Sequence, residues 1–467
     1  MPVYRSRIDP ASSAFAENRD AMLALVEQLR AAEGRARATS ALSAERFAKR
    51  GQLLPRDRLD RVLDPGAPYL ELANVAGYLT DTDDPDASVP GGSVLTGIGF
   101  IGGTRCMVVV NDSGIGAGAV TAAGGAKTLR AQAIALENRL PYVSLVESAG
   151  ANLLEYRVEG WSAGGRFFAN YAKLSAAGIP TVTVLHGSST AGGAYMPGMS
   201  DVVIGVQGQG RAFLAGPPLL KAATGEIADA QDLGGVAMHA TVSGLVEHVA
   251  QDDADGLRIA REVVERLGWG RTWLSDPPAA FDEPAYDPDE IAGIVPVDYR
   301  RPYDVREVIA RIADGSDLLD FKAGYGAPTV CVEASVHGYP VGFVANNGAL
   351  DNAGATKATH FIQRCCQLGT PLVFLQNITG YMVGVEAERG GMIKHGSKMI
   401  QAVTTATVPR FTFLIGASFG AGNYAMCGRA YEPRFLFTWP NHRIAVMGGK
   451  QLAGVLVVPL QERPMEA

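Results

Sequence analysis

Charge is scarce in this chain. Charged residues make up 19% of its 467 residues, below the roughly 25% of an ordinary soluble domain, so much of the surface is expected to lie in cores or subunit contacts. Lys and Arg number 41 against 48 Asp and Glu, a net charge of −7. No basic field exists to hold nucleic acid or an anionic membrane surface. Cysteine is sparse too: Cys106, Cys331, Cys365, Cys366 and Cys427 include no CxxC pair, which argues against a disulfide frame or a zinc ribbon and suits a reducing compartment. The longest uncharged stretches, such as Phe411 to Gly428, are broken by Gly, Ser and Asn and do not read as membrane spans. The amino terminus has no apolar h-region, so the expected location is cytoplasmic.

Side-chain signatures of catalysis are also missing. The seven histidines (His186, His239, His248, His337, His360, His395, His442) form no HExxH or ligand pairing, so no metal site is expected. Ser188, Ser189 and Ser418 stand in HGSSTAGG and IGASFGAG instead of GxSxG. Gly449-Lys450 is followed by Gln451, which is not a P-loop. Gly114-x-Gly116-x-x-Ala119 formally fits a dinucleotide fingerprint, but Glu147 lies too far along to be the ribose acid. That reading ranks low.

Glycine, by contrast, is plentiful: 56 residues, clustered beside apolar runs and without a period of three. Many places must let backbone approach backbone or a ligand. Residues 14–35 carry Met22, Leu25, Val26 and Leu29 at helical spacing, and a second helical stretch is expected to start its last segment at Pro55. From Gly91 to about Gly268, β-rich runs (SVLTGIGFI, CMVVVND, PYVSLVES, PTVTVLHGSS, DVVIGV) alternate with helical ones. This is an α/β pattern. Residues 276–302 contain six prolines and read as a linker, after which the pattern resumes. The expected organisation is an arm (1–90), an N-terminal domain (91–275), the linker (276–302) and a C-terminal domain (303–467) that is truncated or altered at its end.

The two α/β blocks align with one another. Pro141 and Pro371 each open a strand, at an offset of 230. Glu147 and Asn377 follow six residues later, and Gly150 and Gly380 nine residues later. Pro180 and Pro409 open the next strand, and twelve residues on stand Gly192-Gly193 and Ala421-Gly422. Both blocks also begin with a strand pair ending in Asn, at Asn111 and Asn346. Landmarks recurring in one order indicate a duplicated fold. In each copy a strand runs into a turn of small residues and then a helix. The first helical N–H groups of such a turn are unpaired and uncovered, so they can face a developing anion. The glycines alone would also permit tight strand-to-helix packing, and the recurrence favours the oxyanion reading.

These residues resemble the carboxyltransferase (β) subunits of biotin-dependent acyl-CoA carboxylases, especially the methylcrotonyl-CoA and geranyl-CoA types. The resemblance rests on LRAQAIALENRLP, ESAGANL, STAGGAYMPGMSD, FLAGPPLLKAATGE, LVFLQNITGYMVG, HGSKMI, GAGNYAMCGRAYEPRFLFTWPN and RIAVMGG. It implies two tandem crotonase-like (ClpP/crotonase) domains of ββα superhelical turns, the first for acyl-CoA and the second for carboxybiotin. It implies that Gly192 and Gly193 donate to the thioester oxygen, and Ala421 and Gly422 to the ureido oxygen of biotin. Ala149, Gly150 and Ala151 match the CoA pocket wall; Thr379, Gly380 and Tyr381 match the biotin side. Lys221 is read as structural. The chain has no Met-Lys-Met biotinylation site, so an α subunit bearing biotin carboxylase and carrier domains is the implied partner. The resemblance further implies a homo-hexamer of β subunits within an α–β dodecamer, with the active site formed between domains of different subunits. The expected activity is carboxyl transfer to a branched, unsaturated acyl-CoA. The alternatives are a carboxyltransferase for a saturated acyl-CoA such as propionyl-CoA, a biotin-independent crotonase-like decarboxylase or hydrolase, and a structural subunit without activity. The tail VVPLQERPMEA and Lys450, where these relatives commonly have Glu, depart from the family pattern.

Overall fold

The computed structural model describes residues 3–150, 158–269, 280–378, 380–449 and 452–453. The chain divides into two compact units, residues 30–275 and residues 1–29 with 276–467. The amino-terminal helix is longer than its periodicity predicts, running over Ser13–Ala41, because its Ala, Leu, Glu and Arg residues sustain helix beyond the apolar stripe. Pro55 opens the helix Pro55–Val62 at its first turn, where its missing N–H costs nothing.

In the first unit the strands are β1 (Leu70–Glu71), β2 (Val94–Ile101), β3 (Thr104–Asn111), β4 (Tyr142–Ser148), β5 (Thr181–Thr190), β6 (Val202–Val206), β7 (Arg211–Phe213) and β8 (His248–Ala250). They form one sheet in the order β1-β2-β3-β4-β5-β6-β8, with β7 beside β5. The second unit has β9 (Leu319–Asp320), β10 (Thr329–Val336), β11 (Tyr339–Asn346), β12 (Leu372–Ile378), β13 (Arg410–Phe419), β14 (Phe435–Thr438) and β15 (Arg443–Ala445). Their order is β9-β10-β11-β12-β13-β14, with β15 beside β13. The opening hairpins are antiparallel and the later pairs parallel in both sheets.

The correspondence extends to single hydrogen bonds. The β2–β3 turn is held by Asp64, which accepts from the N–H of Gly102 and Gly103 at 2.9 and 2.7 Å. Asp314 does the same for His337 and Gly338 at 2.8 and 2.7 Å. Helix Ala122–Asn138 is capped by Thr121, and helix Asn352–Leu368 by Asp351, so each satisfies an otherwise orphaned N–H. A Cβ on Gly92 would lie 2.5 Å from the Gly124 nitrogen, and one on Gly326 2.6 Å from the Gly354 nitrogen. Only glycine permits that contact between turn and helix.

Parallel strands need cover on both faces. Val108, Val143, Val184 and Ile204 meet Leu59, Val62, Leu257 and Val264 on one side of the first sheet. In the second unit, alternating residues divide between two cores. Cys331, Val344 and Phe374 pack with Phe361 and Met399. Val330, Val332, Phe343 and Leu375 pack with Met22, Ile294 and Val295, so the proline-rich stretch contributes core residues. No helix among the described residues is long and apolar enough to cross a membrane.

Candidate active site

Each unit carries one corner where its long central strand ends. In the first, β5 ends at Thr190, Ala191 takes a left-handed φ of 52°, and a single turn Ala191–Ala194 leads into helix Tyr195–Met199. In the second, β13 ends at Phe419, Gly420 has φ 55°, and helix Gly422–Ala425 follows. The left-handed residue turns the chain sharply, so the next amides point away from the sheet ladder. Among the described residues, the N–H groups of Gly192, Gly193, Ala421 and Gly422 meet no hydrogen-bond acceptor. Gly422 is buried, Gly193 half-buried, and Gly192 and Ala421 are exposed, so these amides are the unpaired first donors of a helical turn. Paired backbone donors can stabilise a developing oxyanion.

Ala149 and Gly150 stand beside the first corner, joined to it by Thr190, whose hydroxyl donates to the Ala149 carbonyl at 3.2 Å. Their own amides are used internally: Ala149 N–H donates to Ala117 at 3.1 Å, and Gly150 N–H to the Ser148 hydroxyl at 3.1 Å. They form a wall and leave donation to Gly192 and Gly193. Gly380 lies against the second corner, its Cα 3.1 Å from where a Cβ on Gly422 would stand. Tyr381 packs on Gly396 and donates to its carbonyl at 3.1 Å; burial raises its phenol above the ordinary range. Ala151 and Thr379 lie outside the described residues, as does Lys450.

The dinucleotide fingerprint does not build a phosphate cradle. A Cβ on Gly114 would meet the backbone of Ser40, and the helix that follows is already capped by Thr121 at the Gly124 nitrogen, 3.1 Å away. Four of the five thiols are buried and Cys366 is half-buried. All five cysteines are free, and burial pushes Cys331 and Cys365 up to about 12 and Cys427 up to about 11.

Three features were not read from the sequence. Phe168 and Tyr195 form an edge-on aromatic pair, centroids 5.8 Å apart, and Phe168 lies 3.6 Å from the Cβ position of Gly192, an apolar wall beside the donors. Beneath the first corner, Arg58 is buried between Glu147 (2.6 Å) and Asp253 (3.0 Å), and Asp253 also holds His186 Nδ1 at 2.7 Å. Burial, followed by the Arg58 charge, lowers the His186 pKa, so this imidazole is a neutral structural group. Beneath the second corner, Ser418 Oγ donates to Gln376 Oε1 at 2.6 Å and accepts from Asn423 Nδ2 at 2.7 Å. The one available signal was polar residues inside apolar strand patterns, which marks a buried network without naming its members.

A carboxyl transferase domain model matches residues 46–462. The chain belongs to the carboxyl transferase family. This carboxyl transferase is 48% identical over 98% of its length to a probable biotin-dependent acyl-coenzyme A carboxylase beta2 subunit of Mycobacterium tuberculosis, covering 85% of that protein. It is 47% identical to a probable mitochondrial methylcrotonoyl-CoA carboxylase beta chain of Drosophila melanogaster, with 97% and 81% of the two chains covered. Among solved structures, the geranyl-CoA carboxylase beta subunit of P. aeruginosa superposes with a TM-score of 0.93 and 51% identity, over 99% of this chain and 87% of that one. The two units of the carboxyl transferase are tandem crotonase-like α/β domains.

Proposed function

We propose that this carboxyl transferase moves the carboxyl group of N-carboxybiotin onto a branched, unsaturated acyl-CoA. The observation that carries the reading is the recurrence of a partnerless amide pair at equivalent corners of both units. Gly192 and Gly193 would bind the thioester oxygen as charge develops on it when the substrate loses a proton, a task in which a single donor is worth about 3–4 kcal/mol. Ala421 and Gly422 would bind the ureido oxygen. Carboxybiotin, carried by an α subunit, supplies the carboxyl group, and its ureido anion can take the substrate proton.

The residues present fit both groups. Exposed Tyr424, Ile444 and Val446 flank the second corner with apolar surface, and the Gly420 N–H to Ala445 carbonyl bond of 3.0 Å ties that rim to the turn. The aromatic pair Phe168–Tyr195 favours an apolar acyl chain, in keeping with relatives named for methylcrotonoyl-CoA and geranyl-CoA. Free cysteines suit a cytoplasmic location, and low charge content suits a multimer, here a hexamer of β subunits bound to α subunits.

The test is ATP-dependent fixation of labelled bicarbonate by the chain together with its α subunit. Methylcrotonyl-CoA or geranyl-CoA should become labelled and propionyl-CoA should lag. No label in any branched thioester would remove the reading, and turnover by the isolated chain without a biotinylated protein, checked by avidin blot, would replace it with biotin-independent chemistry.

A further inference from the structure

Gln376 is a fully buried polar residue of β12 and stands at the last paired position before the bulge in that strand. Its amide reaches three different parts of the chain around the second corner. Nε2 donates to the Met426 carbonyl at 2.7 Å, just after helix Gly422–Ala425. Oε1 accepts from the Ser418 hydroxyl at 2.6 Å, two residues before Gly420, and from Asn423 Nδ2 at 3.4 Å, inside the helix. Asn423 closes the ring by donating to Ser418 Oγ at 2.7 Å. One side chain therefore grips the chain before, within and after the turn that presents Ala421 and Gly422. An amide suits this place because the Met426 carbonyl needs a donor and the Ser418 hydroxyl an acceptor, and a glutamine side chain supplies both.

The first unit shows that the fold does not require this ring. At the same offsets Val146 stands for Gln376, Ser189 for Ser418 and Ala194 for Asn423. Val146 packs with Leu185 and Ala212, with Ala194 against them, and the Ser189 hydroxyl is left buried without a partner. The first sheet has the same bulge, between Val146 and Ser148, and its corner carries its own pair of free amides. Strand, bulge and turn thus form on apolar support alone. What Gln376 adds at the second corner is rigidity, since a buried polar network with its donors and acceptors paired holds one geometry. Two fixed donors suit a reactant whose acceptor is a single oxygen on a rigid ring, which cannot bend to follow a misdirected amide.

We propose that Gln376 is a positioning residue for carboxyl transfer: through Ser418, Asn423 and Met426 it fixes the direction of the Ala421 and Gly422 amides toward the ureido oxygen of biotin. The assignment of the reactant rests on the reading of the second corner given above.

Two variants of the intact chain test this. Gln376→Val with Asn423→Ala installs the apolar pair with which the first unit already folds, and Gln376→Met keeps the length and bulk of the side chain while removing its donor and acceptor; the Met variant carries the test if the double variant does not fold. Free biotin, followed by ligand-observed NMR with no thioester present, should bind both variants at least fivefold more weakly than wild type. Reverse transfer separates the two reactants. When a carboxylated acyl-CoA gives its carboxyl group to free biotin, a C–C bond breaks, a C–N bond forms and the ureido proton passes to the carbon left behind. In that assay the variants should raise KM for biotin about tenfold, lower kcat and leave KM for the thioester unchanged. Loss of folded protein alone would lower kcat and move neither KM. Equal affinity of wild type and variants for biotin would overturn the proposal, as would a KM for the thioester that rises with that for biotin, or a wild type that does not bind biotin. If biotin binding weakens as expected while no acyl-CoA is carboxylated, the reaction assigned above falls and the role of Gln376 stands.

Discussion

The two corners share a backbone path and differ in what surrounds it. At the first, Gly192 is exposed and Gly193 half-buried, and the nearest atom to a Cβ on Gly193 would be Ser189 Oγ at 3.3 Å. At the second, Gly422 is buried, and a Cβ there would stand 2.7 Å from Ile378 Cγ1. The supporting layers differ as well. A charged network of Arg58, Glu147, Asp253 and His186 braces the first corner. At the second, Asn377 stands where Glu147 stood, and the neutral set Gln376, Ser418 and Asn423 does the bracing. Duplication preserved the small-residue turn while each copy found its own way to hold it; at the second corner Gly422 is buried and Ala421 exposed.

The largest effect that would sharpen this contrast is on stability. Glu147→Ala leaves Arg58, 1% exposed, short of a partner, and removing one member of a buried pair costs about 3–5 kcal/mol. The equivalent Asn377→Ala should cost about 1–2 kcal/mol. Urea unfolding of both variants measures the gap, and equal losses would break the distinction between charged and neutral bracing. Next comes Gly193→Val, which should cut carboxylation by about a hundredfold or more by blocking approach to the amides, with the melting temperature little changed. Gly422→Ala should act in reverse order, with overpacking that costs about 1–3 kcal/mol visible in thermal unfolding before any kinetic assay.

A pH effect separates the units further. Burial lowers the pKa of His186 in the folded state below its ordinary value of 6.5, so below that pH the unfolded chain binds more protons and stability falls as pH drops. The residue at the equivalent strand position is Ile415, which has no such dependence. Unfolding at stepped pH should show the advantage of wild type over His186→Gln shrinking below pH 6.5. An advantage that grows instead would reverse the sign. The smallest expected effect is at Ser189, whose buried hydroxyl has no partner. Ser189→Ala should change stability by less than about 0.5 kcal/mol, whereas Ser418→Ala, losing two hydrogen bonds, should cost about 1–3 kcal/mol.

Much of the corner geometry was legible in the order of small residues. Proline, the polar strand end, glycine and the small-residue turn recur at offsets of 229–230, and the structure gives the paired positions the same tasks. Asn111 and Asn346 each accept from the N–H of the bulged residue on the next strand, Glu147 or Asn377, at 3.3 Å. These landmarks could be read because they are local: each is a backbone requirement met within a few residues. The charged bracing could not be. Arg58, Glu147, His186 and Asp253 come from four separate segments, and nothing in the spacing of one ionisable residue tells which distant carboxylate it will meet.

By itself, then, the order of amino acids determined that the chain holds one α/β plan twice and where each strand gives way to a helix, because turns, caps and small-residue corners are settled by local sterics. Only the tertiary structure decided which corner is open and which is packed, and which serine is left without a partner. Those outcomes depend on how segments far apart in the chain register against one another, where a shift of one residue on a strand or a fraction of a turn on a helix would have paired different atoms.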